Sequence, residues 1–489
     1  MMGGRTNHWG RISLRNGPYD FKPRSRDGLG FDWPITYEDV EPYYTKVEML
    51  IGVYGSNEGL ENTPDSPDGV LLPPPKARAA ELLAQKHGKN LGIPIIPIHR
   101  AVLTRHLDYR TIPAKLHPDD KRAQKIVQKA MAYRSACFWA TPCGRGCSVA
   151  ANYQSTTVHL PPALDTGNLD VISDAHCREV LTNKDGKAAG ILFIDKTTGK
   201  ERSVKGKVVI LAASACETVR IMLNSAGGKG VANSSGLVGK YIMDTVGTRV
   251  SGHVPKLENL PPHNEDGAGG DHLYAPWWLY KEQQAGKLDF ARGYHIEYGG
   301  TRQMPGGGNP VPDAFGKGSY GTRFKEDARR YYGSFVSYSL RGEMIPNEHC
   351  YLDIDPKVTD HWGVPVARFH WKWSDHELNQ AKHAKATFRA LIEEMGGTAF
   401  ENKDPNTVGG AAIERPGSII HEVGGALPGE DPKQSVCNGF NQTHDVKNLF
   451  LCDGAPFASN ADKNPTLTIM ALAWRACDYI VEQAKKGNL

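Results

Sequence analysis

Two spacings of hydrophobic residues, one helical and one strand-like, alternate along this chain. Apolar residues that recur every three or four positions predict amphipathic helices, and apolar residues that alternate with polar ones predict strands with one buried face. The helical pattern covers residues 36–50, 77–87, 153–160, 375–394 and a last segment after position 464, and the strand pattern covers 169–173, 179–195, 207–212, 335–355 and 364–373. The mixture predicts an α/β (α+β) protein with an antiparallel sheet flanked by helices.

Turn and cap residues mark the ends of several elements. Asp185 and Gly186 predict a tight turn that makes segment 179–195 a hairpin. Asn464 is a favoured N-cap residue and Pro465 a favoured first residue, so the two predict the start of the last helix. Residues 253–321 are rich in glycine and lack a clear period, which indicates a lid or a poorly ordered insertion.

Composition narrows the class of protein. The chain has 489 residues, 39% of them hydrophobic, which is enough for two large domains or one interleaved pair. Its formal net charge is +4 with acidic and basic residues interleaved, so it carries neither a nucleic-acid-binding stripe nor a polybasic membrane patch. No apolar stretch approaches the ~20 residues of a membrane helix. We therefore expect small uncharged partners, no nucleic acid and no membrane span.

Two polar residues in the last quarter of the chain are candidates for catalysis. His421 lies in residues 418–425 (SIIHEVGG), and an imidazole can act as a general base because it titrates close to working pH. Asn464 lies in residues 461–468 (ADKNPTLT) and can hydrogen-bond a substrate oxygen without carrying charge. Taken alone, each has a structural interpretation: a satisfied histidine at a strand end, and a helix cap.

The order of these segments resembles the glucose-methanol-choline (GMC) oxidoreductase family. The resemblance rests on residues 418–425, 452–454 (CDG), 464–466 (NPT) and, at the opposite end, 3–10 (GGRTNHWG). It implies an FAD-binding domain, an interleaved substrate domain, and oxidation of a hydroxyl by hydride transfer to flavin N5 with His421 as base and Asn464 beside it. The positive end of the last helix would stabilise the reduced flavin.

The resemblance also assigns residues to the FAD site. The glycines of 3–10 would permit close approach of the backbone to the isoalloxazine ring, and His8 is either a covalent anchor, as in the pyranose oxidase branch, or a non-covalent neighbour. Segment 207–218 resembles the strand that contacts the nucleotide half of FAD, although Ser214 replaces the usual glycine. The expected FAD contacts are Gly4, Asn7, His8, Trp9, Cys177, Ala213, Asp453, Gly454, Asn464, Pro465 and Thr466.

Three of the nine cysteines cluster in sequence. Cys137, Cys143 and Cys147 have the spacing C-x5-C-x3-C, which suits an iron–sulfur cluster. The spacing is similar to that of FAD glucose dehydrogenases of the same family, where three cysteines hold a 3Fe–4S cluster. A structural zinc, with His159 as a fourth ligand, and free core cysteines are the alternatives. A cluster would pass electrons to a cytochrome c or a quinone with the help of a small companion subunit, and would favour a dehydrogenase over an oxidase.

One part of the family pattern is missing from the sequence. The family rests the FAD pyrophosphate on a glycine-rich turn within a βαβ unit of ~30 residues, and neither 227–230 nor 306–309 fits such a turn. The sequence is expected to begin after this unit, as if truncated, split across two genes or completed by another polypeptide. A non-catalytic remnant, or one half of a two-chain enzyme, is therefore the alternative hypothesis.

The predicted domains and substrate follow from the same resemblance. Residues 1–50, 145–252 and 421–489 are assigned to the FAD-binding domain, and 51–144 and 253–420 to the substrate domain with the cysteines and the lid-like insertion. Segments 28–40 and 151–155 are similar to the glucoside 3-dehydrogenase and gluconate dehydrogenase branches, which favours a sugar or glycoside over gluconate, a polyol or another alcohol. The compartment is open: the lack of a leader favours the cytoplasm, and export with a companion subunit the periplasm.

Overall fold

A computed structural model describes residues 2–139, 143–261, 272–300, 302, 320–400, 407–408 and 413–489. Much of the insertion predicted within 253–321 lies outside these residues. The helices are α1 (Pro18–Phe21), α2 (Pro23–Asp27), α3 (Tyr37–Ile51), α4 (Ala79–Asn90), α5 (Ile112–Leu116), α6 (Lys121–Ala132), α7 (Ser155–Val158), α8 (Leu160–Asp165), α9 (Ala215–Asn224), α10 (Tyr280–Gln284), α11 (Gly321–Tyr331), α12 (Asp375–Glu394) and α13 (Thr466–Lys486).

The strands form one large antiparallel sheet and several small ones. They are β1 (Ile96–Pro97), β2 (Ala175–Thr182), β3 (Ala188–Asp195), β4 (Glu201–Lys205), β5 (Val209–Leu211), β6 (Arg249–His253), β7 (Leu273–Ala275), β8 (Tyr294–Gly299), β9 (Phe335–Gly342), β10 (Tyr351–Thr359), β11 (Pro365–His370), β12 (Thr398–Ala399), β13 (Thr407–Val408), β14 (Ile413–Glu414) and β15 (Leu449–Leu451). The large sheet has the order β1-β7-β8-β9-β6-β12. The antiparallel sheet expected from the sequence is therefore confirmed.

Helix α12 covers one face of the large sheet. Its capping box, in which Ser374 and Glu377 bond each other's backbone, fixes its start. Phe388, Leu391 and Ile392 of α12 are fully buried in the same core as Tyr338 of β9, with the rings of Phe388 and Tyr338 stacked at 6.0 Å. Burial of these apolar side chains, worth about 1.5–3 kcal/mol each, makes the sheet a rigid support for polar residues on β8 and β9.

A short parallel pair, β5 and β15, forms a second structural centre. Leu211 pairs with Leu451, and each strand leads into a loop, at 212–214 and at 452–455. Because the carboxyl ends of parallel strands meet at the same edge of a sheet, the two loops lie together. Ile210, in the middle of β5, is 45% exposed, whereas Phe450, its partner on β15, is fully buried, so the described residues cover this face at β15 but not at the edge strand β5.

Some predicted elements are placed differently in the structure. Residues 169–173 form no strand, and Leu169, Val171 and Ile172 are exposed, because no described strand pairs with the segment. The strand patterns of 335–355 and 364–373 belong to different sheets: β9 lies in the large sheet, whereas β10 and β11 form a separate two-stranded sheet. Within the described residues, no helix has the length and hydropathy needed to cross a bilayer.

Candidate active site

The imidazole of His421 and the amide of Asn464 lie side by side. Nε2 of His421 is 3.4 Å from Nδ2 of Asn464, although 43 positions separate the two residues along the chain. Asn464 is buried, at 7% exposure, and His421 is partly buried. The structure thus brings together the two residues that the sequence singled out as a pair.

Asn464 does not cap the last helix, so the sequence-based cap assignment was wrong. The N-cap position of α13 is Pro465, the helix begins at Thr466, and among the described residues no side chain caps its first N–H groups. Nδ2 of Asn464 contacts His421 and Oε1 of Glu297, and its Oδ1 has no hydrogen-bond partner among the described residues. The first turn of α13 therefore keeps free N–H groups and partial positive charge beside the pair.

Asp244 and Thr245 hold the His421 loop in place. The backbone N–H groups of Gly417 and His421 donate to the two carboxylate oxygens of Asp244, each at 2.9 Å. Nδ1 of His421 lies 3.2 Å from Oγ1 of Thr245. If Nδ1 carries the proton and donates it to Thr245, the lone pair of Nε2 faces Asn464 and is available as a base.

Two glycines let this loop approach its support closely. Gly424 has a φ of +85°, and a Cβ at this position would lie 2.3 Å from the carbonyl oxygen of Tyr241. Gly425 has a φ of +94° and would meet Ile242 in the same way. Only glycine combines this backbone conformation with so close a contact, which accounts for the Gly-Gly pair that begins three residues after His421.

Burial keeps His421 neutral. Burial, reinforced by the positive charge of Arg341, lowers the pKa of His421 to about 3, while Glu297 acts in the opposite direction. His295 and Arg5 also disfavour the imidazolium. Across the working range of pH, His421 therefore carries a free lone pair, as a general base requires.

Glu297 and Arg341, which the sequence did not single out, lie behind the pair. Glu297 on β8 is buried and forms an ion pair with Arg341 on β9, with 2.7 Å between the charged atoms. His295, two residues earlier on β8, lies 3.5 Å from Glu297 and 3.5 Å from Asp462. A signal was present, because His295 and Glu297 interrupt the apolar strand 294–299 at alternate positions and so share one face.

The N-terminal segment lies against the His421 loop. Arg5 donates to the carbonyl oxygen of Ile420 and forms an ion pair with Glu422. The hydroxyl of Thr6 bonds that of Ser155 at 2.8 Å. The expected FAD contacts in this segment occupy a 3₁₀ turn, Gly4–Asn7, and the residues after it: Gly4 and His8 are exposed, Asn7 accepts a bond from Thr156, and Trp9 packs edge-on against Tyr153.

Asp453 ties the two loops of the parallel pair together. Its carboxylate accepts bonds from the hydroxyl of Thr218 and, at 2.8 Å, from the backbone of Ala455, and burial raises its pKa. The Thr218 hydroxyl in turn accepts from the N–H of Ala213, which is exposed. Gly454 connects this centre to the His421 loop, because its carbonyl accepts from Gly424 at 2.8 Å. Pro465 is buried and Thr466 partly buried at the start of α13.

Cys177 belongs to the core around β5 and not to the surroundings of His421 and Asn464. It lies on β2 opposite Phe193 and packs against the apolar cluster that includes Leu211 and Ala215. Burial raises the pKa of its thiol to about 11, so it is a neutral thiol at physiological pH.

Ser214, the departure from the family glycine, has a glycine-like backbone. Its φ is +86° and its ψ +156°, a region that side chains strongly disfavour, and its hydroxyl makes no cap bond to α9. Replacement by glycine, Ser214→Gly, is therefore expected to raise the free energy of unfolding by about 1 kcal/mol. Urea denaturation measures the change.

The neighbouring Ala212→Gly substitution serves as the control for that prediction. Ala212 has a negative φ, so glycine there relieves no strain and is expected to lower the free energy of unfolding by about 0.5–1 kcal/mol. Equal effects of the two substitutions would show that the conformation of Ser214 carries no strain.

The three clustered cysteines line one cleft. Cys137, Cys143 and Cys147 face it together with the aromatic side chains of Phe138 and Trp139. Backbone N–H groups donate to two of the sulfurs: that of residue 139 to Cys137 at 3.4 Å, and that of residue 151 to Cys147 at 3.2 Å. His159, the candidate fourth zinc ligand, is not among the lining residues and instead contacts the hydroxyl of Tyr153 at 3.2 Å.

The described residues around the pair fit a flavin nucleotide. The backbone at 212–214 lies at the carboxyl end of β5, the first turn of α13 is uncapped, and the acceptor Oδ1 of Asn464 is unpartnered. Gly4, Arg5 and His8 are exposed, and Arg5 contacts the same loop that carries His421. Backbone N–H groups at helix starts and strand ends suit the phosphates of a dinucleotide. They also suit a ring that takes up negative charge when it is reduced.

Comparison with known proteins shows which family the sequence matches. Two family models, both described as GMC oxidoreductase, match residues 121–254 and 346–473. The chain is 30% identical to 2-methyl-1,2-propanediol dehydrogenase of Mycolicibacterium austroafricanum, over 98% of this chain and 80% of that protein. It is 28% identical to the fructose dehydrogenase large subunit of Gluconobacter japonicus, over 99% and 81%, and 24% identical to the gluconate 2-dehydrogenase flavoprotein of Pantoea cypripedii, over 99% and 79%.

Proposed function

Because the chain belongs to the GMC oxidoreductase family, whose members are FAD-binding flavoproteins that act on CH–OH groups, we propose that it oxidises a sugar or glycoside hydroxyl to a carbonyl with His421 as general base. The observation that carries the proposal is the 3.4 Å approach of His421 Nε2 to Asn464 Nδ2. Hydride transfer from an alcohol requires a neutral base that removes the hydroxyl proton. It is also helped by an uncharged donor that hydrogen-bonds the substrate oxygen.

In the proposed reaction, Nε2 of His421 removes the hydroxyl proton. Asn464 Nδ2–H donates to the substrate oxygen, and Thr245 holds the imidazole by its Nδ1. Bound FAD would supply the hydride acceptor. The residues that would hold it are those of the 3–9 segment, the backbone of 212–214, Asp453 and Gly454, and the first turn of α13.

The substrate class is supported by the relatives' names. Those relatives are named for a sugar, a sugar acid and a small diol, and all three are polyhydroxy compounds. A panel of aldoses, ketoses, glycosides, gluconate, polyols and 1,2-diols, assayed with an artificial dye acceptor, tests the class. If only gluconate or only diols were turned over, that compound class would replace sugars as the proposed substrate.

The pH dependence of kcat/KM follows from the environment of His421. The base acts in its neutral form, so activity is full above the folded-state pKa of His421 and is lost as pH falls through it. With that pKa at about 3, the acid limb is expected well below the ordinary 6.5 of histidine. The charged groups facing His421 are Arg341, Glu297, His295, Arg5, Glu422 and Asp244.

Asp244 provides the control for the acid limb. Burial raises its pKa to about 6, so a limb at pH 6 would report protonation of Asp244 and not of His421. Asp244→Asn would remove such a limb and leave one set by His421 unchanged. In a profile of kcat/KM between pH 4 and 8, any limb near pH 6 is expected to disappear in Asp244→Asn, and a limb near 6.5 that persists in this variant would contradict the low pKa of His421.

The cysteine cleft is proposed to hold a 3Fe–4S cluster. The presence of all three cysteines in the lining of one cleft, with backbone N–H groups on two of the sulfurs, supports a thiolate-ligated cluster over three unrelated core cysteines. Iron and sulfide assays on anaerobically purified protein test it, with Cys143→Ser expected to lower both and the exposed Cys477→Ser to change neither. Wild-type protein without iron and sulfide would end this part of the proposal.

Electrons are proposed to leave near this cleft, to a cytochrome c or a quinone. Helix α6 packs into the same apolar cluster as Cys143 and presents four exposed cations and no acidic residue. One relative is named as the large subunit of its enzyme, which supports a companion subunit here too. Rapid peroxide production in air would argue instead for an oxidase.

The discontinuous division into an FAD domain and a substrate domain remains part of the proposal. The alternative that the chain is one half of a two-chain enzyme is kept beside it. The exposed Ile210 on the edge strand β5, near the backbone proposed to contact FAD, favours completion of that edge by a further polypeptide. Flavin absorbance of the purified chain, with and without added companion subunit, separates the two. Stoichiometric FAD in the chain alone would exclude the two-chain alternative.

A further inference from the structure

Resting on the proposed function, we propose that Glu297 is a positioning residue that fixes the orientation of the Asn464 amide. Its Oε1 lies 3.4 Å from Nδ2 of Asn464, and its other oxygen is held by Arg341 at 2.7 Å. The carboxylate thus connects the rigid centre of the large sheet to the residue beside the base.

The orientation of a side-chain amide depends on what each end contacts. Nδ2 of Asn464 has two hydrogens and two acceptors within 3.4 Å, Glu297 Oε1 and His421 Nε2, whereas Oδ1 has no partner among the described residues. Since no donor in the described part of the chain holds the oxygen end, the acceptors of Nδ2 decide which way the amide faces. A rotated amide would set its oxygen against a carboxylate, which is strongly unfavourable in a buried site.

The charge on Glu297 is secured by its neighbours. Burial alone would raise its pKa, but Arg341 and then His295 hold the pKa well below the usual range of a glutamate. Glu297 is therefore an acceptor that cannot donate. Glutamine at this position could donate or accept by rotating its own amide, so it would permit both orientations of Asn464.

The consequence for catalysis is specific. In the fixed orientation, an N–H of Asn464 points toward Nε2 of His421, where the substrate oxygen loses its proton. In the rotated orientation, Oδ1 would oppose the negative charge that develops on that oxygen. Glu297 thus acts on the transition state through Asn464, without itself contacting the reacting atoms.

Kinetics of the FAD-loaded enzyme test this assignment. Glu297→Gln is expected to lower kcat by about 10- to 100-fold with KM within about twofold, less than the 10²–10³-fold lost when a transition-state donor is removed outright. In an Asn464→Ala background the same substitution is expected to lower kcat by less than about twofold, because no amide is left to orient. Equal effects in both backgrounds would overturn the proposal.

A matched control distinguishes positioning from simple loss of a buried charge. Glu48→Gln makes the same change at another fully buried glutamate, which is paired to Arg15 at 2.6 Å. It is expected to lower the thermal midpoint while leaving kcat within about twofold. A similar fall in kcat in Glu48→Gln would assign the Glu297 effect to lost stability.

A spectroscopic readout makes the test independent of turnover. In protein labelled with ¹⁵N-asparagine, the Asn464 amide resonance is identified by its absence in Asn464→Ala. Its two protons are expected downfield in the wild type, where one bonds a carboxylate, and to move upfield in Glu297→Gln but not in Glu48→Gln. An unmoved resonance would refute the Glu297 contact, whereas a moved resonance without turnover on any hydroxyl substrate would count against the proposed function alone.

Discussion

Replacing His421 with alanine is expected to lower kcat by about 10²–10⁴-fold while the protein still binds flavin. The physical reason is that His421 is the neutral base nearest Asn464, and its loop is held by backbone bonds to Asp244 that do not involve the imidazole. Removal of the ring therefore leaves the loop and the cofactor contacts in place. Steady-state kinetics with a dye acceptor, and the flavin content by absorbance, measure the two effects separately.

The companion substitutions make this expectation specific. His361→Gln, at an exposed histidine on the β10–β11 turn, is expected to leave kcat unchanged. Asn464→Ala is expected to weaken catalysis less than His421→Ala, because it removes a donor but not the base. A kcat in His421→Ala equal to that of the wild type would refute the base assignment. A loss of bound flavin in Asn464→Ala equal to its loss of activity would mark Asn464 as structural.

Replacing Lys463 with methionine is expected to lower the free energy of unfolding by about 3–5 kcal/mol. Its ammonium is buried and lies 3.0 Å from Asp20 and 2.6 Å from Asp462. Burial alone would lower the pKa of Lys463, but these carboxylates raise that pKa well above its ordinary value. The ammonium is therefore charged. Without it, Asp20, Asp462 and Glu343, whose carboxylate oxygens lie within 4.8 Å of one another, would repel in a buried space.

Lys463→Met is also expected to affect catalysis, because Lys463 is adjacent to Asn464 in the chain. Lys463 precedes Asn464 and ties its loop to Asp20 on α1, so its loss is expected to lower kcat as well. Lys129→Met removes an exposed partner of Asp165 and is expected to cost less than about 1 kcal/mol. Urea denaturation of both variants measures the difference, and similar values for the two would show that the buried network is not needed for stability.

The local elements of the fold could be read from the sequence. Helix α12 spans the predicted residues 375–394, and the hairpin of β2 and β3 turns at the predicted Asp185-Gly186 pair. These features depend on spacing and on turn chemistry within a few residues of each other, which a sequence states directly. The strand predicted at 169–173 was wrong because a strand exists only if another chain segment pairs with it.

The family and the residues His421 and Asn464 were also accessible from sequence, since their motifs carry distinctive glycine, proline and polar spacings. What the sequence could not decide was the role of the Asn464 side chain: local chemistry favoured a helix cap, but the structure turns the amide toward His421 and Glu297. Glu297, Arg341 and Thr245 come from three other segments, and their meeting depends on the register of β8 against β9 and on the path of the loop at 244–245. Long-range packing sets those distances and the dielectric around His421, so only the tertiary structure determines how the pair is oriented and charged.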